Sequence, residues 1–146
     1  MPLISSKGVY GLAAMHELLQ NEENKPMQIR EISARADIPQ NYLEQLLGKL
    51  RHAGLVASTR GSKGGYRLAK DAKDILIKDI IIALEDDIKI IDTKSNSPIL
   101  NIFFDETKEK MKKLFNLSLK DLNQYQDKYN QYLHYSIWVC FILKAL

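Results

Sequence analysis

The sequence contains a single cysteine, Cys140, and has no long apolar run. One thiol excludes an intramolecular disulfide, a cysteine-based zinc site and an iron–sulfur cluster held by several thiolates of one chain. The longest apolar run, Ile137–Leu143, falls short of the roughly 20 residues that a membrane-spanning helix needs. The first residues lack an apolar stretch behind a basic one, so we expect no secretory signal and a cytoplasmic location.

Acidic residues are absent from Gln45 to Lys70, a window that holds six lysines and arginines. Glycine is absent after residue 65, and arginine is absent after Arg67. Residues 1–73 carry 11 cations against 7 acids, whereas residues 74–146 carry 10 against 11. The 146 residues and 45% apolar content predict a globular protein with one domain or one small domain with an appendage. The uneven charge predicts that the two halves have different roles.

The spacing of apolar residues predicts a mainly α-helical protein with one β-hairpin. A first helix runs from an N-cap at Ser6 to about residue 21, with Val9, Leu12 and Leu19 on its apolar stripe. Pro39 suits the first position of the third helix. The first four predicted helices cover residues 6–21, 29–36, 40–53 and 75–84. A long helix then begins at Pro98, and a last helix begins at a capping box over residues 118–121. The predicted strands cover residues 55–59 and 66–69.

The helix over residues 40–53 has a polar outward face. Its leucines Leu43, Leu46, Leu47 and Leu50 repeat at helical spacing and predict a buried side. The opposite side holds Asn41, Gln45, Gly48 and His52, flanked by Tyr42, Glu44, Lys49 and Arg51. Such donors and acceptors can contact base edges and phosphates, although any amphipathic helix also exposes polar residues. Gly48 costs roughly 0.8–1 kcal/mol in a helix relative to alanine, and close approach to another backbone would explain it.

The hairpin tip is rich in glycine and basic residues. Arg60, Lys63 and Arg67 surround three glycines, and such a tip can enter a minor groove, where a narrow width attracts arginine. An enzyme's phosphate-binding loop is a poor alternative, because this loop joins two strands and does not open a helix. Helix, short helix, turn, helix and basic hairpin is the order of a winged helix-turn-helix.

Three segments resemble the Rrf-type family of bacterial winged-helix transcription regulators, which includes the IscR, NsrR and CymR regulators. They read YLEQLLGKLR at 42–51, AGLV at 53–56 and RGSKGGYRLA at 60–69. SKGVYGL at 6–12 resembles the family's first helix, and residues 80–85 resemble its helix after the wing. The resemblance covers about residues 3–122.

The resemblance implies a homodimer joined through the long C-terminal helix, with one recognition helix per subunit in the major groove of double-stranded DNA. It implies DNA contacts from Asn41, Tyr42, Gln45, Arg51, Arg60 and Gly61, and phosphate contacts from Ser6 and Lys7. We expect Lys49 to hold a phosphate and Lys63 to contact DNA from the wing. Many relatives hold an iron–sulfur cluster on three cysteines, but residues 86–104 contain none. The chain thus resembles a cluster-free branch, and no cofactor or metal is expected.

Three further features have alternative interpretations. Cys140 lies in an apolar run that favours the neutral thiol, which argues against a redox role. The acids at 85–87 could hold a cation, although acids that end a helix are usually solvated. Tyr125, Tyr129, Tyr132 and Tyr135 could line an effector pocket or pack in a dimer. The apolar tail from Ile137 is either buried against a partner subunit or disordered.

We therefore predict a homodimeric, cytoplasmic, sequence-specific DNA-binding regulator, expected to be a repressor. Residues 1–73 form its winged helix-turn-helix, and residues 74–146 serve dimerisation and signalling. Its operator should be pseudo-palindromic, because the site copies the protein's two-fold symmetry. An effector protein or a small ligand could set its activity. The alternative is a protein-interaction module that keeps the winged scaffold without specific DNA binding. No nucleophile–base pair or metal-ligand spacing supports an enzyme.

Overall fold

The computed structural model describes residues 4–86 and 93–146, which form six α-helices and one two-stranded antiparallel sheet. The helices are α1 (Ser6–Gln20), α2 (Ile29–Ala36), α3 (Gln40–His52), α4 (Ile77–Glu85), α5 (Pro98–Leu114) and α6 (Asn123–Ala145), and the strands are β1 (Val56–Thr59) and β2 (Gly65–Leu68). The hairpin directly follows the helix pair α2–α3. This order confirms the predicted winged helix-turn-helix with long C-terminal helices.

Helix α1 has its N-cap one residue earlier than predicted and buries a different face. Ser5, not Ser6, is the N-cap, and its hydroxyl accepts a hydrogen bond from the backbone N–H of Lys7. The predicted apolar stripe is correct only in part, because Leu12 and Leu19 are half-buried against the core whereas Val9 is 56% exposed. Gly11, which the stripe did not include, is buried. A Cβ at Gly11 would collide with the side chain of Leu84 on α4. The close approach of α4 therefore selects a face with small residues.

Helix α3 is the centre of the core, as its leucine spacing predicts. Leu43, Leu46, Leu47 and Leu50 are all fully buried. They pack in one cluster with Met15 of α1, Ile32 of α2 and Ile80 of α4. Pro39 is the N-cap of α3 and not its first helical residue, so the prediction is wrong by one position.

The segment between α5 and α6 returns to the core. The backbone N–H of Ile77 donates to the carbonyl of Leu117 at 2.8 Å, and that of Leu119 donates to the carbonyl of Ile75 at 2.7 Å. Leu119 is fully buried, and Ser118 and Asp121 form the predicted capping box. A 3₁₀ turn over Ala72–Asp74 precedes α4, which begins at Ile77 and not at the predicted Ile75.

Helices α5 and α6 leave large apolar side chains in water. Within these two helices, which the structure describes from end to end, no residue is buried. Ile99 is 77% exposed and Phe141 is 74% exposed. In residues 4–86 and 93–146, no helix combines the length and the apolar character that crossing a membrane requires. Large exposed apolar patches of this kind are typical of surfaces that contact another molecule.

Candidate nucleic-acid interface

The outward face of α3 carries polar side chains, as its spacing predicts. Asn41, Gln45, Lys49 and Arg51 are exposed, whereas Tyr42 and Gly48 are half-buried. Because the four leucines on the opposite side are locked in the core, the outward side chains project from a rigid support. This face can therefore present a fixed set of hydrogen-bonding groups.

Tyr42 has an aromatic neighbour that sequence analysis did not identify. The ring of Tyr10 on α1 meets the ring of Tyr42 edge to face, with ring centroids 5.8 Å apart and an interplanar angle of 85°. Edge-to-face pairs contribute about 0.5–1.5 kcal/mol beyond the area that they bury. The contact connects the first helix to the start of the recognition helix α3.

Arg51 is hydrogen-bonded across the step from α3 to the wing. Its Nη1 atom donates to the hydroxyl of Ser58 at 3.1 Å, and both residues are exposed. A guanidinium has five N–H donors, so this bond leaves others free for a phosphate. Ser58 therefore orients Arg51 without occupying all of its donors.

The wing is fastened to the loop that precedes α2. Met27 and Tyr66 exchange two backbone hydrogen bonds of 2.8 Å. The side-chain amide of Asn24 accepts from the N–H of Leu68 and donates to its carbonyl, each at 2.9 Å. Gly65 has a φ of +149°, and a Cβ there would collide with the carbonyl of Met27. A glycine is thus needed where the wing meets this loop.

The predicted wing contacts Arg60, Gly61 and Lys63 all lie exposed at the hairpin tip, between β1 and β2. Gln28, at the N-cap of α2, donates from Nε2 to the carbonyl of Ser62 at 3.3 Å. The tip is therefore held against the start of α2 from one side and remains open to solvent on the other.

The start of α1, where Ser6 and Lys7 lie, is tied to the end of α4 by Glu85. One carboxylate oxygen, Oε1, accepts from the Ser5 N–H at 2.8 Å, the Ser5 hydroxyl at 2.7 Å and the Gly8 N–H at 3.0 Å. Burial raises the pKa of Glu85, but the hydrogen bonds from Ser5 and Gly8 and the charge of Lys7 outweigh burial and hold the pKa below its usual value. Ser6 is exposed and Lys7 is half-buried beside this contact.

A single thiol does not fit an iron–sulfur cluster held by several thiolates of one chain. Cys140, the only thiol, is exposed on α6. Among the described residues, no three His, Cys, Asp or Glu side chains are grouped as metal ligands. Of the acids at 85–87, Glu85 is engaged with α1, and Asp87 lies outside the described residues. We therefore assign no chemistry to such a cofactor.

The tyrosines proposed as an effector pocket are all exposed on α6. Tyr125, Tyr129, Tyr132 and Tyr135 are 48%, 57%, 73% and 71% exposed. A depression of about 710 Å³ lies along the same helix and involves Tyr135 and Trp138. Residues of α6 alone line it, so it is an uncovered helix face of one chain.

Sequence analysis missed Tyr10, Gln28, Ser58 and Glu85 as parts of this interface. Tyr10, Gln28 and Glu85 act through partners that are distant along the chain, for example 80 residues between Ser5 and Glu85, whereas Ser58 lies seven residues from Arg51. Side chains alternate between the two faces of a strand, so the alternation along β1 could have indicated that Ser58 points outward. Helical periodicity gave no signal for the other contacts, because it does not report contacts between elements.

Comparison with known proteins places this arrangement in a family. The sequence profile of the Rrf2 family, described as iron-dependent transcriptional regulator, matches residues 4–131. The chain is 44% identical over 85 residues to the HTH-type transcriptional regulator IscR of Photobacterium profundum, a match that covers 58% of this chain and 49% of the relative. The corresponding protein of Vibrio campbellii is 45% identical over 85 residues, with 58% of this chain and 51% of the relative covered. The chain thus spans about half the length of these curated relatives.

Solved structures match over more of their length. CymR (YrzC), the global cysteine regulator of B. subtilis, superposes with a TM-score of 0.77 at 35% identity, covering 86% of this chain and 98% of that one. IscR of T. potens superposes with a TM-score of 0.73 at 33% identity, covering 86% and 89%. On these matches in sequence and structure, the chain belongs to the Rrf2 family.

Proposed function

We propose that this protein is a sequence-specific DNA-binding transcriptional regulator, and specifically a repressor that works in the cytoplasm. The single observation that carries the proposal is the exposed polar face of α3, supported by four buried leucines and placed beside an exposed basic wing. The regulatory function of the relatives supports it. In this proposal Tyr42 and Gln45 read base edges in the major groove, helped by Asn41. Arg51, Lys49, Lys7 and Ser6 hold phosphates, while Arg60, Gly61 and Lys63 contact DNA from the wing.

The proposal assigns residues 1–73 to DNA binding and residues 74–146 to dimerisation and signalling. The exposed apolar faces of α5 and α6 support a homodimer, because no surface of the described chain covers them. A two-fold dimer would place two copies of α3 on a pseudo-palindromic operator. Because the chain lacks the thiolates for a cluster, an effector protein or a small ligand acting on this second part sets the activity.

The test is binding of the purified protein to labelled DNA from its own promoter region, measured by fluorescence anisotropy at several salt concentrations. Arg51→Ala and Arg60→Ala should each weaken binding, and each should lower the steepness of its salt dependence by about 0.9 if its guanidinium holds one phosphate. Lys120→Ala, which removes an exposed cation between α5 and α6, is the control and should leave both quantities unchanged. Unchanged affinity and salt dependence in both arginine variants would overturn the assignment.

The alternative, a protein-interaction module on a winged scaffold, makes a different prediction in the same assay. Unrelated competitor DNA should then displace the labelled promoter DNA as efficiently as unlabelled promoter DNA does. A regulator requires a large excess of unrelated DNA, because its specific sites bind about 10³-fold or more tighter than random sites.

A further inference from the structure

A polar cleft lies between the wing and the start of α2. It consists of two adjoining depressions of about 570 and 410 Å³, both lined by Gln28, Arg30 and Gly64. The first extends to Lys63 at the wing tip, and the second extends to Gln40, the first residue of α3. The cleft thus runs from the tip of the wing to the beginning of the recognition helix.

The two walls of this cleft are joined to each other, so the cleft exists before any ligand binds. At the inner end of the cleft, two backbone hydrogen bonds between Met27 and Tyr66 join the loop before α2 to β2. At its rim, the hydrogen bond from the side chain of Gln28 to the carbonyl of Ser62 joins the start of α2 to the wing tip. A preformed site binds more tightly than a flexible one because less conformational entropy is lost.

The charge of the cleft favours an anion. Arg30 and Lys63 are exposed, and neither has an ion pair among the side chains that the structure describes. Glu31 also lines the cleft, but its Oε1 atom is 2.8 Å from Nη2 of Arg35, which balances its charge. Within residues 4–86 and 93–146, two positive charges are therefore left without an ion pair in a polar depression.

The position of the cleft identifies the anion. If α3 lies in the major groove and the wing in the adjacent minor groove, one sugar–phosphate strand must pass between them, because that strand separates the two grooves. The cleft occupies this interval, between Gln40 of α3 and Lys63 of the wing. We propose that it binds phosphodiester groups of this strand and that Arg30 is its principal contact. This inference rests on the proposed function, and it adds a binding residue on α2.

The experiment compares a cation inside the cleft with a cation outside it. Arg30→Gln removes a charge from the cleft, and Lys120→Gln, the control, removes the same charge from an exposed side chain between α5 and α6 that lines neither depression. Affinity is measured at low and at moderate salt, about 50 and 200 mM, for the promoter duplex and for a scrambled duplex of equal length. Circular dichroism and thermal unfolding of each variant verify folding.

Arg30→Gln should weaken binding to both duplexes by similar factors, since a phosphate contact is independent of sequence. When salt is raised over this range, the factor by which the affinity of Arg30→Gln falls should be about three times smaller than the factor for the wild type, as expected for one lost phosphate contact. Arg30→Lys should restore most of the salt dependence, and Lys120→Gln should resemble the wild type.

Equal salt dependence for Arg30→Gln and Lys120→Gln would overturn the inference. A wild-type protein that binds both duplexes equally would contradict sequence-specific function, yet the comparison of the two variants would still decide the role of Arg30.

Inorganic phosphate, added at constant ionic strength, distinguishes a free anion from a DNA strand. If phosphate displaces DNA from the wild type but not from Arg30→Gln, and the salt dependence of the two is equal, the cleft holds a free anion and the proposal fails. A protein that binds neither duplex overturns both proposals.

Discussion

Gly48 lies in the middle of the outward face of α3. Apart from its own helix, no atom of the described chain is within 4 Å of the position that a Cβ would take. The fold itself therefore does not require a glycine here, although glycine lowers helix stability by roughly 0.8–1 kcal/mol relative to alanine. The proposed binding of DNA supplies a reason, because the absence of a side chain allows the helix backbone to approach DNA closely.

We expect Gly48→Ala to raise the free energy of unfolding by about 0.8–1 kcal/mol while it weakens binding to the promoter duplex. Gly48→Met should keep the gain in stability and weaken binding further, because its side chain is longer. Urea denaturation and anisotropy titrations measure the two quantities on the same preparations. If affinity rises together with stability, close approach at this position is wrong.

At the scale of elements, Glu85 joins the end of α4 to the beginning of α1. It is the last residue of α4, and its Oε1 atom accepts hydrogen bonds from both Ser5 and Gly8. The contact holds the segment that carries Ser6 and Lys7 in place. It also lies just before the residues that lead to α5, so it connects the proposed DNA-binding and dimerisation parts of the chain.

The ionised form of Glu85 is the one that stabilises this contact. Burial opposes ionisation, but the hydrogen bonds from Ser5 and Gly8 and the charge of Lys7 give a pKa below the usual value in the folded protein. The stabilisation is therefore complete above the usual range of a glutamate, near a pH of about 4.3, and is lost as the pH falls below it. Glu85→Gln keeps an acceptor oxygen but removes the charge, so it should lower the free energy of unfolding by only about 0.5–1 kcal/mol at neutral pH, because solvent screens the charge at this partly exposed site.

The difference between wild type and Glu85→Gln should shrink as the pH is lowered from about 6 to about 3 in urea denaturation. Glu17→Gln is the control, because Glu17 lies on α1 and has no hydrogen bond or ion pair within the described part of the chain. A difference that stays constant over this pH range would show that the charge of Glu85 is not the cause.

At the scale of the whole molecule, the apolar surface is divided unevenly. One core cluster contains residues from α1 to α4, both strands and Leu119. The apolar side chains of α5 and α6 face water, including Ile102 at 62% and Phe103 at 58% exposure. This distribution supports the proposed homodimer, in which two copies cover each other's exposed helices.

We expect Ile102→Glu combined with Phe103→Glu to convert the proposed dimer to a monomer at micromolar concentration, because each charge would be buried at the interface. Sedimentation velocity measures the change, and thermal unfolding shows whether the core remains intact. Lys108→Glu is the control, since at about 100° per residue it lies about 120° or more around α5 from both Ile102 and Phe103. A double variant that sediments like the wild type would contradict dimerisation through this face.

Local periodicity predicted some parts of this molecule well and others poorly. The four leucines of α3 were predicted to be buried and are, because their spacing repeats with the helix. The stripe of α1 was predicted only in part, because glycine has no hydrophobic character to reveal that Gly11 faces Leu84. The contact residues of the proposed DNA site remain predictions. Arg30 is added to them because it lines the cleft beside the wing, a feature that the sequence does not reveal.

The sequence by itself determined that this is a winged helix-turn-helix protein without thiolates for a cluster. Helical spacing, turn residues and the position of cysteine are properties of neighbouring residues, so they can be read along the chain. Only the tertiary structure decided that Tyr10 meets Tyr42, that Glu85 holds the start of α1, and that the wing is fastened to the loop before α2. These contacts join residues distant in sequence, and packing brings them together.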